Sequence, residues 1–210
     1  MQSVMVDIET LGTSNDAVIL SIGAVKFLSD PTLLVPDDVL PSLVEGGFYT
    51  NVDPTSQPDR KIDASTMMWW FDQSQEARAA LRTPEPIGLI TDLSQLTQYV
   101  RGCDEVWSHG ASFDLAILRH AYEQLHLKTP WHYTDVRDTR TLFSLIGKDQ
   151  RDGLWPENPH KHHALHDAAA QAIAVGRALY LIRPRRRGPL TPPPRFDAEY
   201  EALMERHKDE

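Results

Sequence analysis

The chain opens on an apolar run broken by two acids, Ser3-Val4-Met5-Val6-Asp7-Ile8-Glu9. The run reads as a buried strand, and side chains of a strand alternate between faces, so Asp7 and Glu9 point the same way. Two carboxylates on one face of a buried strand are costly unless something pairs them. A divalent cation does so, because magnesium prefers oxygen ligands. The spacing alone is common, since 30 acids in 210 residues give about four acid-x-acid triplets by chance. Other parts of the chain must supply the context.

A turn through Gly12 to Asn15 and the run Val18 to Phe27 predict a second strand and an antiparallel opening hairpin. A polar, Pro-rich excursion from Ser29 to Glu45 precedes a third strand, Gly47 to Val52. Ser65 is expected to cap a helix through Met67, Trp69 and Trp70, followed by a further helical stretch from Gln75 to Leu81. The spacing Leu93, Leu96, Tyr99, Val100 is helical and stops at Gly102. Glu105 to His109 predicts a short strand feeding a helix that begins near Ser112, with Leu115, Leu118, Tyr122 and Leu125 on one face. Two more helices are expected, over Thr139 to Ile146 and over the alanine-rich stretch Ala164 to Leu181.

A hairpin followed by alternating helices and strands implies an α/β fold with a mixed central sheet flanked by helices. Residues 1–182 form the expected domain. The run Arg183 to Arg195 has five arginines and five prolines and reads as an extended linker, followed by a short helix over Phe196 to His207.

Composition narrows the function classes. Cys103 is the single cysteine, so neither an internal disulfide nor a cysteine-rich zinc site is available. No apolar stretch approaches the ~20 residues of a membrane span, and a cytoplasmic location is expected. The net charge of -9 argues against gripping nucleic acid by a bulk positive field. Clustered carboxylates loaded with cations would attract phosphate locally instead.

Asp114 follows Phe113 near the start of a helix, and Asp167 lies early in the last long helix; either fits simple complementarity to the helix dipole. His162 stands five residues before Asp167, in the loop ahead of that helix. From there it can approach a water near a metal while Asp167 ligates, and histidine's reference pKa of about 6.5 suits a base near neutral pH. A competing reading groups His160, His162, His163 and His166 as a zinc cluster.

The ordered set Asp7-x-Glu9-Thr10, then Phe113-Asp114, then His162-x-Ala164-Leu165-x-Asp167-Ala168 resembles the three motifs of the DEDDh branch of the DnaQ-like exonucleases. Within that family, Ile62-Asp63-x-Ser65-Thr66 followed by Trp69-Trp70, and Arg137-Asp138-x-Arg140-Thr141, resemble a subgroup of phage exonuclease A and bacterial exoribonucleases. The resemblance spans about Met1 to Leu181 and implies an RNase H-like fold.

It also implies a 3′-to-5′ exonuclease that works on a free 3′ end of single-stranded DNA or RNA and releases nucleoside 5′-monophosphates, in a bacterial or phage-infected cell. Asp7, Glu9, Asp114 and Asp167 would hold two divalent cations, Mg2+ or Mn2+, with His162 as general base. Glu9 and the Thr10 backbone would meet the terminal sugar, with Leu11 wedged beside the last base. Trp69, Trp70 and Phe113 are candidates for base stacking. Adjacent tryptophans on a helix point about 100° apart, so one should face the cleft and the other should pack. His109 is a further substrate-contact candidate, and Arg137 and Arg140, expected on a helix at i, i+3, are phosphate candidates. DNA and RNA both stay open, because one residue can make or block a 2′-hydroxyl contact. The rivals are a silent binding module and a two-metal endonuclease on the same fold.

Overall fold

The computed structural model describes residues 1–81 and 86–182. One mixed sheet contains β1 (Gln2–Thr10), β2 (Ile19–Leu28), β3 (Phe48–Asn51), β4 (Glu105–Ser108) and β5 (Val136–Asp138), in the order β3-β2-β1-β4-β5. β1 pairs antiparallel with β2, and β2 with β3, whereas β1–β4 and β4–β5 are parallel. The described helices are α1 (Leu40–Glu45), α2 (Ala64–Phe71), α3 (Gln75–Ala80), α4 (Leu89–Val100), α5 (Asp114–Gln124), α6 (Thr139–Ser144), α7 (Lys148–Arg151) and α8 (Ala164–Ile182). None of them is long and apolar enough to cross a membrane.

Alternation along β1 sorts the two cores. Val4, Val6 and Ile8 pack with Leu93 and Leu96 of α4 and with Leu115, Leu118 and Tyr122 of α5. Met5, on the opposite face, packs with Phe143 of α6 and Ala168, Ala169, Ala172 and Val175 of α8. Asp7 and Glu9 share the face of Met5, so the strand carries them to the side covered by α8.

Small residues make that contact close. A Cβ at Gly23 would lie 2.2 Å from backbone atoms of Ala164 and Leu165, so the first turn of α8 rests directly on β2. The alanines of α8 serve this approach as well as helix propensity.

Several boundaries differ from the sequence reading. The Pro-rich excursion contains α1, whose Pro41 sits in the first turn, where the missing N–H costs nothing. Its Leu40, Leu43 and Val44 pack against the α8 side of the core. Asp63, not Ser65, caps α2, accepting bonds from the backbone N–H groups of Ser65 (2.8 Å) and Thr66 (3.1 Å). α5 starts at Asp114 rather than near Ser112. Arg137 lies on β5, not on a helix; a three-residue strand is too short to show a period in sequence. The expected linker over 183–195 and helix over 196–207 lie outside the described residues.

Candidate active site

Four carboxylates converge from three elements. Asp7 and Glu9 come from β1, Asp114 is the first residue of α5, and Asp167 stands in the first turn of α8. One ligand atom each of Glu9, His162 and Asp167 lies within 4.8 Å of the others.

Their electrostatics are those of crowded acids. Burial, then Asp114, Glu9 and Asp167, push the Asp7 carboxyl well above the usual range. Glu9 is pushed to about 8 by burial and by Asp167 and Asp114. Asp114 is raised to about 7 by burial, against the opposing pull of the Ile8 N–H and Arg140. Asp167 is also raised by burial, which outweighs its bond from the His162 N–H. Among the described residues, none of the four forms an ion pair with lysine or arginine. Four clustered carboxylates without an ion-pair partner among the described residues suit a hard divalent cation such as magnesium or manganese.

The loop before α8 is tied to Asp167. The backbone N–H of His162 donates to Asp167 Oδ2 (2.8 Å), and the Asn158 amide donates to Oδ1 (2.7 Å). His162 adopts φ +63°, a left-handed conformation that costs a non-glycine residue about 1 kcal/mol. Its bond to a carboxylate offsets that cost. The other three histidines form a separate group: His166 lies 4.5 Å from His160 and 4.9 Å from His163, ring to ring. His163 stacks on Tyr49 and is pushed down to about 4, first by burial and then by His166. His162 therefore groups with Glu9 and Asp167 rather than in a four-histidine cluster.

A cleft of about 440 Å³ adjoins the acids, lined in part by Glu9, Thr10, Trp69, Trp70 and Phe113. The tryptophans differ in burial, although both border the cleft. Trp70 is 5% exposed and donates its indole N–H to the Thr10 carbonyl (2.9 Å), whereas Trp69 is 43% exposed and meets the His162 ring edge-on at 5.0 Å.

Other expected contact residues are placed differently. Leu11 packs with Leu20, Trp70 and Ala77 instead of lining the cleft. His109 turns its Nδ1 to the Thr139 hydroxyl (2.7 Å). Arg137 pairs with the buried Glu105 (3.0 Å) and donates to the Thr134 carbonyl, so it is held in the fold rather than offered to phosphate. Arg140 is exposed, lies beside Gly110, and exerts its charge on Asp114.

Three supporting residues escaped the sequence reading. Asn158 holds Asp167, and the Gln171 amide donates to Asp7 Oδ1 (2.8 Å). Asp138 accepts from the Ala111 N–H (2.6 Å) while capping α6, which ties the loop before Asp114 in place. Gln171 left a trace in the sequence as a lone amide one turn beyond Asp167 in an apolar helix, and Asp138 as part of the Arg137-Asp138-x-Arg140-Thr141 motif; Asn158 left none.

The 3-2-1-4-5 sheet, with two acids on its central strand and one from each of two helices, defines a DnaQ-like 3′-to-5′ exonuclease of RNase H-like fold. The chain belongs to the 3′-5′ exoribonuclease Rv2179c-like domain family, whose model matches residues 2–179. An exodeoxyribonuclease of Enterobacteria phage T4 is 26% identical over 202 residues, covering 83% of this chain and 88% of that one.

Solved structures share the fold at low identity. The nuclease domain of 3′hExo, a DEDDh family member bound to rAMP, aligns at TM-score 0.55 and 13% identity, over 83% of this chain and 90% of its own. Cell-death related nuclease 4 (CRN-4) aligns at 0.59 and 13%, over 86% and 64%. E. coli exonuclease I in complex with a dT13 oligonucleotide aligns at 0.55 and 15%, over 87% and 41%. DEDDh nucleases act with divalent metals, and the acid and histidine cluster of this chain suits them.

Proposed function

We propose that the chain removes nucleotides one at a time from the 3′ end of single-stranded DNA or RNA, releasing nucleoside 5′-monophosphates. Asp7, Glu9, Asp114 and Asp167 would hold two divalent ions, Mg2+ or Mn2+, and His162 would act as general base. The observation that carries this reading is the meeting of Glu9, His162 and Asp167 within 4.8 Å, beside an Asp7 whose ionised form lacks a protein counter-charge. When bound, the ions supply Lewis-acid stabilisation of the scissile phosphate and a more acidic attacking water.

The side chains divide the remaining work. His162 takes the proton from the attacking water, its loop held by Asp167 and Asn158. Trp69 and Phe113 offer faces to the terminal base, and stacking of that kind tolerates any sequence. Thr10, with its carbonyl fixed by Trp70, and Glu9 border the space for the terminal sugar. Arg140, exposed beside Gly110, would meet a phosphate. Both sugar types stay in the proposal: the family is described as exoribonuclease, the phage relative as exodeoxyribonuclease.

The deciding assay uses purified protein with Mg2+ or Mn2+ on 3′- and 5′-labelled single strands and duplexes of DNA and RNA. A 3′ label should leave first, as a mononucleotide, and faster from single strands. Early release of internal fragments would instead identify an endonuclease.

A further inference from the structure

Gln171 is a buried amide on a helix whose neighbouring buried positions are Ala168, Ala172, Ile173, Ala174 and Val175. It follows Asp167 by four residues, so both side chains lie on the same face of α8. Its Nε2 donates to Asp7 Oδ1 at 2.8 Å, and its Oε1 has no hydrogen-bond partner among the described residues. A residue kept only for packing would be apolar here, because a buried amide with an unmet acceptor loses hydration for no gain. Among the described residues, the one hydrogen bond its side chain makes is to Asp7.

That contact has a geometric consequence. Asp7 belongs to β1 and Asp167 to α8, so these acids keep their relative placement only as well as the helix is registered on the strand. A bond from Gln171 holds Oδ1 of the Asp7 carboxylate from the same helix that presents Asp167. We propose that Gln171 is a positioning residue, which holds Asp7 with Oδ2 left for a cation and so strengthens divalent-metal binding. The proposal rests on Asp7 being a metal ligand, as read above.

The test is a Mn2+ titration of the full chain, followed by the paramagnetic resonance signal of the free ion. It compares wild type, Asp7→Ala, Gln171→Met and the double variant, with melting of each metal-free protein as a folding control. Methionine matches glutamine in length but cannot donate. Gln171→Met should bind Mn2+ about 10- to 100-fold more weakly, the range typical of groups that orient a ligand. It should recover kcat at high Mn2+, and it should cause no further loss in the Asp7→Ala background.

Wild-type affinity in Gln171→Met, or an equal loss when Asp7 is already absent, would overturn the proposal. Wild-type affinity in Asp7→Ala would instead sink the metal-site reading itself, so the two failures are distinct. Gln171→Leu, read in the same way, answers the question should the methionine variant not fold.

Discussion

Asp7 on β1 stands opposite Gly23 on β2 in the antiparallel register, and the bare Cα of Gly23 is what lets α8 reach the sheet. The acid and the glycine are thus two parts of one device: one supplies charge, the other admits the helix that brings Asp167 to it. Gly23→Ala drives a methyl to 2.2 Å from the Ala164 and Leu165 backbone, which no rotamer change relieves. We expect a loss of about 3 kcal/mol in stability, at the upper end for overpacking. Hydrolysis should fall further than the unfolded fraction explains, because Asp167 shifts with the helix. Urea unfolding and Mg2+-dependent turnover, measured together, check both parts.

The acid cluster sets a pH dependence of stability in metal-free protein. Glu9 and Asp114 titrate in the folded chain near about 8 and about 7, and Asp7 and Asp167 are raised, against about 4 in an unfolded chain. Between those limits the folded state holds more protons than the unfolded one, so these groups make stability fall as pH rises. Asp16, lowered to about 2, exerts its opposite effect only in more acidic solution, but His163, pushed down to about 4, and the lowered His109 and His166 make stability rise with pH up to about 6.5. The melting temperature in chelator should therefore decline from about pH 6.5 to 8.5, where the acids act unopposed. Saturating Mg2+ should remove the decline. A melting temperature that climbs over that range in chelator would contradict the crowding.

Asp7→Ala and Asp167→Ala should both abolish hydrolysis yet differ in stability. Removing Asp7 relieves repulsion in the cluster, so the metal-free variant should melt at or above wild type near pH 8. Asp167 accepts from both Asn158 and the His162 backbone, so its loss also releases the loop. Asp167→Ala should melt below Asp7→Ala. Calorimetry in chelator gives the comparison, and near-wild-type hydrolysis by either folded variant would remove that acid from the proposed machinery.

The adjacent tryptophans separate packing from recognition. Trp70 is buried and bonded to Thr10, so Trp70→Ala should cost about 3–5 kcal/mol, typical of a lost core aromatic. Trp69 is half-exposed on the cleft wall, so Trp69→Ala should leave the fold and raise KM for an oligonucleotide about tenfold, in line with the ~1–3 kcal/mol of a base stack. Melting and steady-state kinetics distinguish them.

The legible parts of this molecule are those with a period or a motif. The opening hairpin, the long helices and the five residues Asp7, Glu9, Asp114, His162 and Asp167 could be read because strand alternation and motif order survive in one dimension. β5 could not, since three residues carry no period; Arg137 was consequently misplaced onto a helix, when it serves Glu105. Leu11 is assigned to a base by resemblance alone, and its packing partners Leu20 and Ala77 lie too far off in sequence to correct that. Asn158 acts through loop geometry, which leaves no local pattern, and Asp138, though part of a motif, shows its bond to Ala111 only in three dimensions. Gly23 was visible as a glycine within a strand, but its purpose depends on where α8 lands.

His162 and His166 offer the sharpest contrast within the loop and helix that carry Asp167. His162 groups with Glu9 and Asp167, its backbone bonded to the latter, while His166 packs against His160 and His163. Loss of a general base typically lowers turnover by about 10²- to 10⁴-fold. His162→Ala should show a fall of that size with Mn2+ affinity changed little, because the acids remain. His166→Ala removes a side chain outside the cluster and should retain turnover within a few-fold. Rate and bound metal, including zinc by elemental analysis, should be measured on both variants side by side. A rate loss confined to His162→Ala supports the base assignment, whereas equal losses of rate and metal in the two variants would show that the histidines work together as ligands.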